Sequence, residues 1–401
     1  MITPEKIDEW IKEVEERPGS AVIILQYISN RLRDLTQRNQ ELRADNLALR
    51  TEKKVEEYER RIANLEYQLD LLKRQFGGDP AVLEALASAA IPVGITPDVL
   101  SVLVYDAHGH ILRLETDPAG LTEGALLGTL PETPGPGEEP LRLLVSSAAE
   151  EMLFVFSSGR VSTRAVASIP AVLPDHKLDW EQASQPDEPR GGETLGCLTP
   201  VSRMALSDYF VQTSLRGWVK KVGTTLASSI LEKHYIGTGV TQPGDRTFNV
   251  VLAKREERLV LVSRDGYGLC LEVQALPFAV ESAFKLGNLD FIAAAFITSP
   301  GRPVLVMTQL GKVVHLGADY LDPAGSLRSR GQALYSQQRR EKGVKVVGAA
   351  ALQANDWTLA LHKDGRLTVH SAHSLIDSGA MSEQDELVGF TGFGLPVKKS
   401  K

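Results

Sequence analysis

The sequence predicts a mainly β fold, a propeller-like ring of six packed units, carried behind an N-terminal α-helical coiled coil. Two observations predict the ring. A hairpin signature recurs six times, with turn glycines at Gly109, Gly159, Gly217, Gly266, Gly311 and Gly365, spaced 50, 58, 49, 45 and 54 residues apart. A period near 50 residues is that of propeller-type blades, and a single unit of this size cannot bury its own faces. The first strand of several copies is also apolar at almost every position, as in Val304, Leu305, Val306 and Met307, which requires both faces to be covered. The third observation is the front of the chain, where apolar residues repeat in alternating steps of three and four.

The elements follow in order. Thr3-Pro4-Glu5 starts a first helix, with Thr as cap, Pro at the first helical position and an acid at the positive end. Arg17-Pro18-Gly19 should stop it, giving a short N-terminal helix over 1–19. A coiled-coil helix is expected over 20–77, its first seam Ile28, Leu32, Leu35, Asn39, Leu42, Asn46 and Leu49, its second Val55, Tyr58, Ile62, Leu65, Leu69, Leu72 and Phe76. The two seams differ in phase by one residue near Glu52, where the supercoil must adjust. Leu35, Leu42 and Leu49 fit d positions, and Asn39 and Asn46 fit a positions, where a buried Asn favours a two-stranded coil of fixed register. The expectation is a homodimer through Leu35, Asn39, Leu42, Asn46, Leu49, Leu65, Leu69 and Leu72; parallel and antiparallel pairing, and a helix folded back on its own chain, stay open.

A linker over 78–97 leads to the β domain, 98–395, and a basic tail, 396–401, ends the chain. The hairpins run Val102 to Leu114, Met152 to Arg164, Tyr209 to Val222, Leu259 to Glu272, Val304 to Leu316 and Trp357 to Val369. Asp265-Gly266 and Asp364-Gly365 are tight-turn dipeptides, and the Val-, Leu-, Phe- and Tyr-rich flanks suit a pleated surface. Further strands are expected at Val344 to Leu352 and Asp385 to Phe393, so each blade should hold four short strands. The loops Pro131 to Pro140 and Gln182 to Gly196, rich in Pro, Gly and acid, read as exposed and mobile.

Composition excludes several function classes. No N-terminal signal peptide or bilayer-length apolar run is present, and Cys197 and Cys270 make no metal-ligand spacing, so a cytoplasmic protein with no membrane contact is expected. His108-x-His110 and His370-x2-His373 lack the further ligands of a metal site and read as solvated turn histidines. Ser157-Ser158-Gly159 lacks the elbow of a hydrolase, and Gly237-x-Gly239 the helix and Lys of a nucleotide site, so neither catalysis nor a cofactor is expected. The net charge of −7 is uneven: residues 1–80 carry −2, residues 81–205 carry −10, and residues 206–401 carry +5. The first two blades are therefore acidic and the last four mildly basic.

The third copy, Thr213-Ser214-Leu215-Arg216-Gly217-Trp218-Val219-Lys220-Lys221, resembles the blade hairpin of the C-terminal domain of DNA gyrase A and its counterpart in topoisomerase IV. Gly311-Lys312-Val313, Val346-Val347-Gly348, Asp364-Gly365-Arg366 and Leu387-Val388-Gly389 fit the same repeat, and the resemblance spans roughly residues 97–395. It implies a six-bladed β-pinwheel, in which blades exchange strands, and a role in binding and bending duplex DNA on a basic outer rim. The phosphate contacts it implies, with little reading of sequence, fall to Arg216, Lys220, Lys221, Arg264, Lys312, Arg328, Arg330, Arg339, Arg340, Lys342 and Arg366. Gln338-Arg339-Arg340-Glu341-Lys342-Gly343 is one residue short of the gyrase box Gln-Arg-Arg-Gly-Gly-Lys-Gly and carries an acid, which favours chance similarity over a true box. The fourth copy has Gly268, Leu269 and Cys270 where cations are expected, so an arc of contact on blades three, five and six is anticipated rather than full wrapping. Nothing resembles the family's cleavage domain, and any strand cleavage would need a separate polypeptide. The expected partners are duplex DNA, a second copy and topoisomerase subunits, with a place at the nucleoid. A protein-interaction scaffold without DNA affinity is the competing expectation.

Overall fold

The structure, a computed structural model, describes residues 4–50 and 99–395, apart from 131–139, 173–177, 202–203, 205, 225–230, 232, 237–244, 300–301, 318–321 and 382–385. The chain divides into two compact units, the front helices and the β domain. In the first, helix α1 spans Pro4–Glu16 and helix α2 spans Ser20–Arg50, with the break at Arg17-Pro18-Gly19. Trp10 and Tyr27 hold the helices together edge to face, their ring centroids 5.7 Å apart. On α2, Leu25 and Leu32 are exposed, seven residues apart on one stripe. The side chains of Leu35, Asn39, Leu42, Asn46 and Leu49, all within α2, and the whole of Leu65, Leu69 and Leu72 fall outside the described set, as do the remainder of the expected coil, the linker and the basic tail.

The second unit contains 21 described strands in chain order. Blade one contributes β1 (Leu100–Tyr105), β2 (Ile111–Thr116), β3 (Ala125–Thr129) and β4 (Arg142–Ser147). Blade two contributes β5 (Glu151–Phe156), β6 (Val161–Ala165) and β7 (Leu195–Pro200), and blade three β8 (Tyr209–Ser214), β9 (Trp218–Gly223) and β10 (Thr247–Ala253). Blade four runs through β11 (Arg258–Ser263), β12 (Tyr267–Glu272), β13 (Glu281–Ser282) and β14 (Ile292–Thr298). Blade five runs through β15 (Val304–Thr308), β16 (Val313–Leu316), β17 (Gln332–Ala333) and β18 (Val346–Ala351). A short helix, α3 (Gln337–Glu341), precedes β18. Blade six holds β19 (Trp357–His362), β20 (Arg366–Ser371), helix α4 (Ala372–Ser378) and β21 (Leu387–Phe393).

Each recurring hairpin is a pair of antiparallel strands, and the last strand of its blade pairs on the other side of the first. The hairpin's free edge is completed by chain from the next blade. β13 pairs with β9, β17 with β12, and β3 with β20, the last of which joins blade one to blade six. Elsewhere single bridges do the same work: Ile111 with Ser184, Arg160 with Tyr235, and Lys312 with Ala380. Three sheets are thus four-stranded and three are three-stranded with a bridging residue. The expectation of four strands per blade is corrected to this extent, because the donated segment at those three places extends too briefly to form a ladder.

Strands β1, β8 and β15 are buried at every position, so both faces of the sheets are covered by neighbouring blades. The innermost strands pack on one another about the ring axis, which explains their small residues, such as Ala293-Ala294-Ala295 and Gly348-Ala349-Ala350. A methyl group on Gly348 would lie 2.3 Å from the Phe390 carbonyl oxygen. At the hairpin tips the blades are stapled in series. The N–H groups of Ile292, Val346 and Leu387 donate to the carbonyls of Leu215, Arg264 and Gln309, each on the preceding blade.

The loop 182–196 is tied down rather than loose. Arg160 donates to Asp187 at 2.9 Å and to Glu193 at 3.0 Å, and its guanidinium lies 3.7 Å from the Phe156 ring centroid. Burial would raise both carboxyls, but hydrogen bonds and the charge of Arg160 outweigh it and hold both below their ordinary values. His370 is also corrected: it is buried, with Nδ1 2.8 Å from Glu123 and Nε2 3.0 Å from Thr368, whereas His373 is exposed as expected. Glu123 comes from blade one and accepts the Ser371 N–H as well, so this pair fastens the seam that closes the ring.

Candidate nucleic-acid interface

The cations expected from the sequence separate into three groups. Lys220 and Lys221 lie in β9 and are buried, 1% and 4% exposed. Residues 273–278 fold over this half of the strand: the Lys221 N–H donates to the Pro277 carbonyl, and its ammonium donates to Gln274 at 2.7 Å. The same ammonium sits 4.7 Å from the centroids of both Tyr209 and Phe278. Burial draws the pKa of Lys220 down to about 7. As placed, neither lysine presents its charge to solvent, so the expectation that both line an outer surface is corrected: chain of the next blade covers Lys221, and Lys220 beside it on the strand is buried as well.

Arg216 and Arg366 are half-buried and engaged locally. Arg216 donates to the carbonyls of Gly287 and Asn288, each at 3.1 Å, and of Asp290. Arg366 donates to Asp364 at 2.6 Å; burial would raise that carboxyl, but the arginine outweighs it and lowers the pKa.

The third group is Arg264, Lys312, Arg328, Arg330, Arg339, Arg340 and Lys342, for which no carboxylate partner occurs among the described residues. All are exposed except the half-buried Arg340. Arg330 and Arg340 meet where the donated strand β17 crosses the outer edge of blade four, and Arg328, Arg339 and Lys342 lie within two residues of them in the chain. The Asp265-Gly266 turn starts β12 at Tyr267, and β17 pairs Ala333 and Gln332 with Tyr267 and Gly268. The crossing is close: Gly331 has φ +70°, and a methyl group there would stand 2.4 Å from the Gly268 carbonyl oxygen. That turn sends Arg330 back over Tyr267, 5.0 Å from the ring centroid, with its guanidinium 3.0 Å from the phenol oxygen. Helix α3 brings Arg340 to 4.8 Å from the same centroid and carries Arg339; Lys342 caps it. Two guanidinium groups on one phenol ring are held without neutralising either charge. Arg328 sits in the left-handed region at φ +61°, two residues before Arg330.

The site also contains residues that the sequence did not single out. Lys285, Arg330, Arg340 and Lys345 line a cavity of about 160 Å³ together with Tyr267, Asp265 and Asp290. Lys345 pairs with Asp265 at 2.5 Å. Asp290 is buried and accepts the N–H groups of Asp265 at 3.0 Å and Phe291 at 2.9 Å. Burial, helped by the negative charge of Asp265, raises its pKa and weakens its opposition to the cations. Tyr335 is pushed up to about 12 by burial and donates its hydroxyl to the Val344 carbonyl at 2.8 Å. Lys285 and Lys345 stand alone in loop sequence, and no local pattern distinguishes them. Arg264 joins the group through its backbone, bonded to Phe291 and Val346, with its guanidinium 5.3 Å from the Phe291 ring. Lys312 lies on the neighbouring hairpin of blade five.

The segment 338–343 forms most of α3 and its C-terminal cap, an exposed basic turn beside this cavity. Among the described residues no group of three or more His, Cys, Asp or Glu side chains could hold a metal ion, and no helix is long and apolar enough to cross a membrane.

No family model matches the chain, and no curated protein matches it in sequence. Among solved structures it is similar to the DNA gyrase A C-terminal domain, with a TM-score of 0.55 at 12% identity over 74% of this chain and 99% of that one. The C-terminal domain of DNA topoisomerase IV aligns at a TM-score of 0.45 and 15% identity, over 74% of this chain and 93% of that one. The Escherichia coli ParC C-terminal domain aligns at 0.33 and 12% identity, over 74% and 99%. The match to gyrase A, together with the six blades and the donated strands, shows that residues behind the front helices carry the fold of the gyrase A C-terminal β-pinwheel.

Proposed function

We propose that the chain is a non-catalytic protein that binds duplex DNA through the phosphate backbone and bends it along the outer edge of blades four and five. The observation that carries this reading is that Arg330 and Arg340 meet on Tyr267, with Arg328, Arg339 and Lys342 within two residues of them in the chain and Arg264 three residues before Tyr267, none with a carboxylate partner among the described residues. Cations arranged this way displace counterions from the duplex and give affinity that falls steeply with salt. Blade four, expected from its hairpin sequence to be poor in cations, becomes the centre of the arc because blade five lends it Arg328, Arg330, Arg339, Arg340 and Lys342. In the same reading the helical arm pairs two copies, so that two rings engage one DNA and raise apparent affinity through effective concentration. The setting is the nucleoid in the cytoplasm, with a type II topoisomerase as the partner.

A scaffold reading is favoured by one observation: in blade two, Arg160 is neutralised by Asp187 and Glu193. Titrating a labelled duplex of several hundred base pairs at low and at moderate salt separates the two. Saturable binding at low salt that weakens with salt supports the DNA reading, and absence of binding at the lowest salt supports the scaffold.

A further inference from the structure

Beside the basic cavity stands an apolar side chain that packing does not explain. Leu289 is 91% exposed, the highest value among the exposed large apolar side chains described. A lone exposed leucine is ordinary on a protein surface. The way this one is presented is not. It occupies the third position of a β-turn closed by the Asp290 N–H donating to the Gly287 carbonyl at 3.2 Å. Arg216 reaches across from the blade-three hairpin and donates to the carbonyls of Gly287, Asn288 and Asp290, bracketing Leu289 on both sides. The Asp290 carboxylate, itself buried, accepts two backbone N–H groups and anchors the other end of the turn. Gly287 and Asp290 line the same cavity as Lys285, Arg330, Arg340 and Lys345, so the turn that presents the leucine borders the group of cations.

An arginine, a buried acid and a closed turn thus hold one apolar side chain outward on a turn that borders groups suited to phosphates. We propose that Leu289 is a wedge that enters between base pairs of the bound duplex and kinks it, while the surrounding cations hold the phosphates on either side. Apolar side chains presented with flanking cations unstack a base step in this way and kink the duplex by about 20–90°. The inference rests on the DNA reading above and adds that bending is concentrated at a kink beside blade four. Pyrimidine–purine steps unstack most easily, so the protein distinguishes duplexes by deformability without hydrogen bonding to base edges.

The test uses the full chain and two labelled duplexes of equal length, one with repeated TA steps and one without any pyrimidine–purine step. Affinity is read by anisotropy, and end-to-end distance by energy transfer at saturating protein. The wild type is expected to bind the TA-containing duplex several-fold more tightly and to shorten it more. Leu289→Ser should equalise the two affinities and lose the shortening, leaving the salt dependence unchanged because no cation is removed. Leu289→Phe should keep both effects, and Leu310→Ser, on the blade-five hairpin tip, should behave as wild type. If the wild type binds and bends both duplexes and Leu289→Ser does the same, the wedge is refuted while DNA binding stands. If the wild type binds neither duplex, the DNA reading and the wedge fall together.

Discussion

The cation cluster makes a quantitative prediction about salt. Substituting Arg330, Arg339 and Lys342 together by Gln removes three charges that have no carboxylate partner among the described residues and are exposed. The fold should tolerate it. Arg339 and Lys342 lie on or beside a short surface helix, and Arg330 contributes its stacking on Tyr267, worth about 0.5–1 kcal/mol at an exposed site. Each phosphate contact contributes about −0.9 to the slope of log K against log salt concentration. The seven cations of the third group therefore bound the wild-type slope near about −6, and the triple variant should be shallower by about 2.7. Between 50 and 200 mM salt each contact accounts for roughly a 3.5-fold loss of affinity, so three account for about 40-fold. The assay is anisotropy on a fixed duplex at five or more salt concentrations, with melting curves to verify folding. A variant with unchanged slope would refute the reasoning, because the three side chains would then touch no phosphate. A weakened variant with wild-type slope would refute it equally, since the loss would not be electrostatic.

Three further outcomes are expected. Lys221→Ala should destabilise the protein by about 1–3 kcal/mol in denaturant unfolding, through loss of a charged hydrogen bond to Gln274 and of contact with Tyr209 and Phe278, with the salt slope of DNA binding unaltered. A changed slope would return this lysine to the binding surface. Gly365→Ala should cost about 1–3 kcal/mol, since φ is +88° and the new methyl would stand 2.0 Å from the Leu130 carbonyl oxygen at the ring-closing seam. Gly379→Ala, at φ +64° with open space around it, should cost less, about 1 kcal/mol; equal melting temperatures for the two variants would contradict the seam. Asp187 and Glu193 have folded pKa values below their unfolded ones, so the stability they contribute is present above the unfolded values, near pH 4, and is lost as pH falls further. Amide exchange in 186–194 should therefore accelerate on acidification towards pH 3, and Arg160→Ala should abolish that dependence; exchange insensitive to pH beyond its chemical rate would exclude the pairing.

Local chemistry made much of the ring legible. The six glycine-closed turns, the apolar first strands and the small-residue strands at Val346–Ala351 and Leu387–Phe393 are each determined within about ten residues, and each appears where expected. The candidate site was legible only as a set of charges. Arg330, Arg339, Arg340 and Lys342 could be nominated from composition, but the meeting of Arg330 and Arg340 depends on Tyr267, about 60–75 residues earlier in the chain. Lys220 and Lys221 could not be told from surface cations, because what covers Lys221 is chain 273–278, some 50 residues away.

The amino-acid order alone determined that this protein repeats a hairpin six times, that its strands are covered on both faces, and that positive charge collects towards its end. Those properties follow from side-chain alternation and turn geometry, which act between near neighbours. Only the tertiary structure decided which blade holds the cations, which lysines are buried, and that Leu289 faces outward. The physical reason is strand exchange: each blade's outer edge is built by the next, so the character of a surface is set by residues about 45–75 positions away.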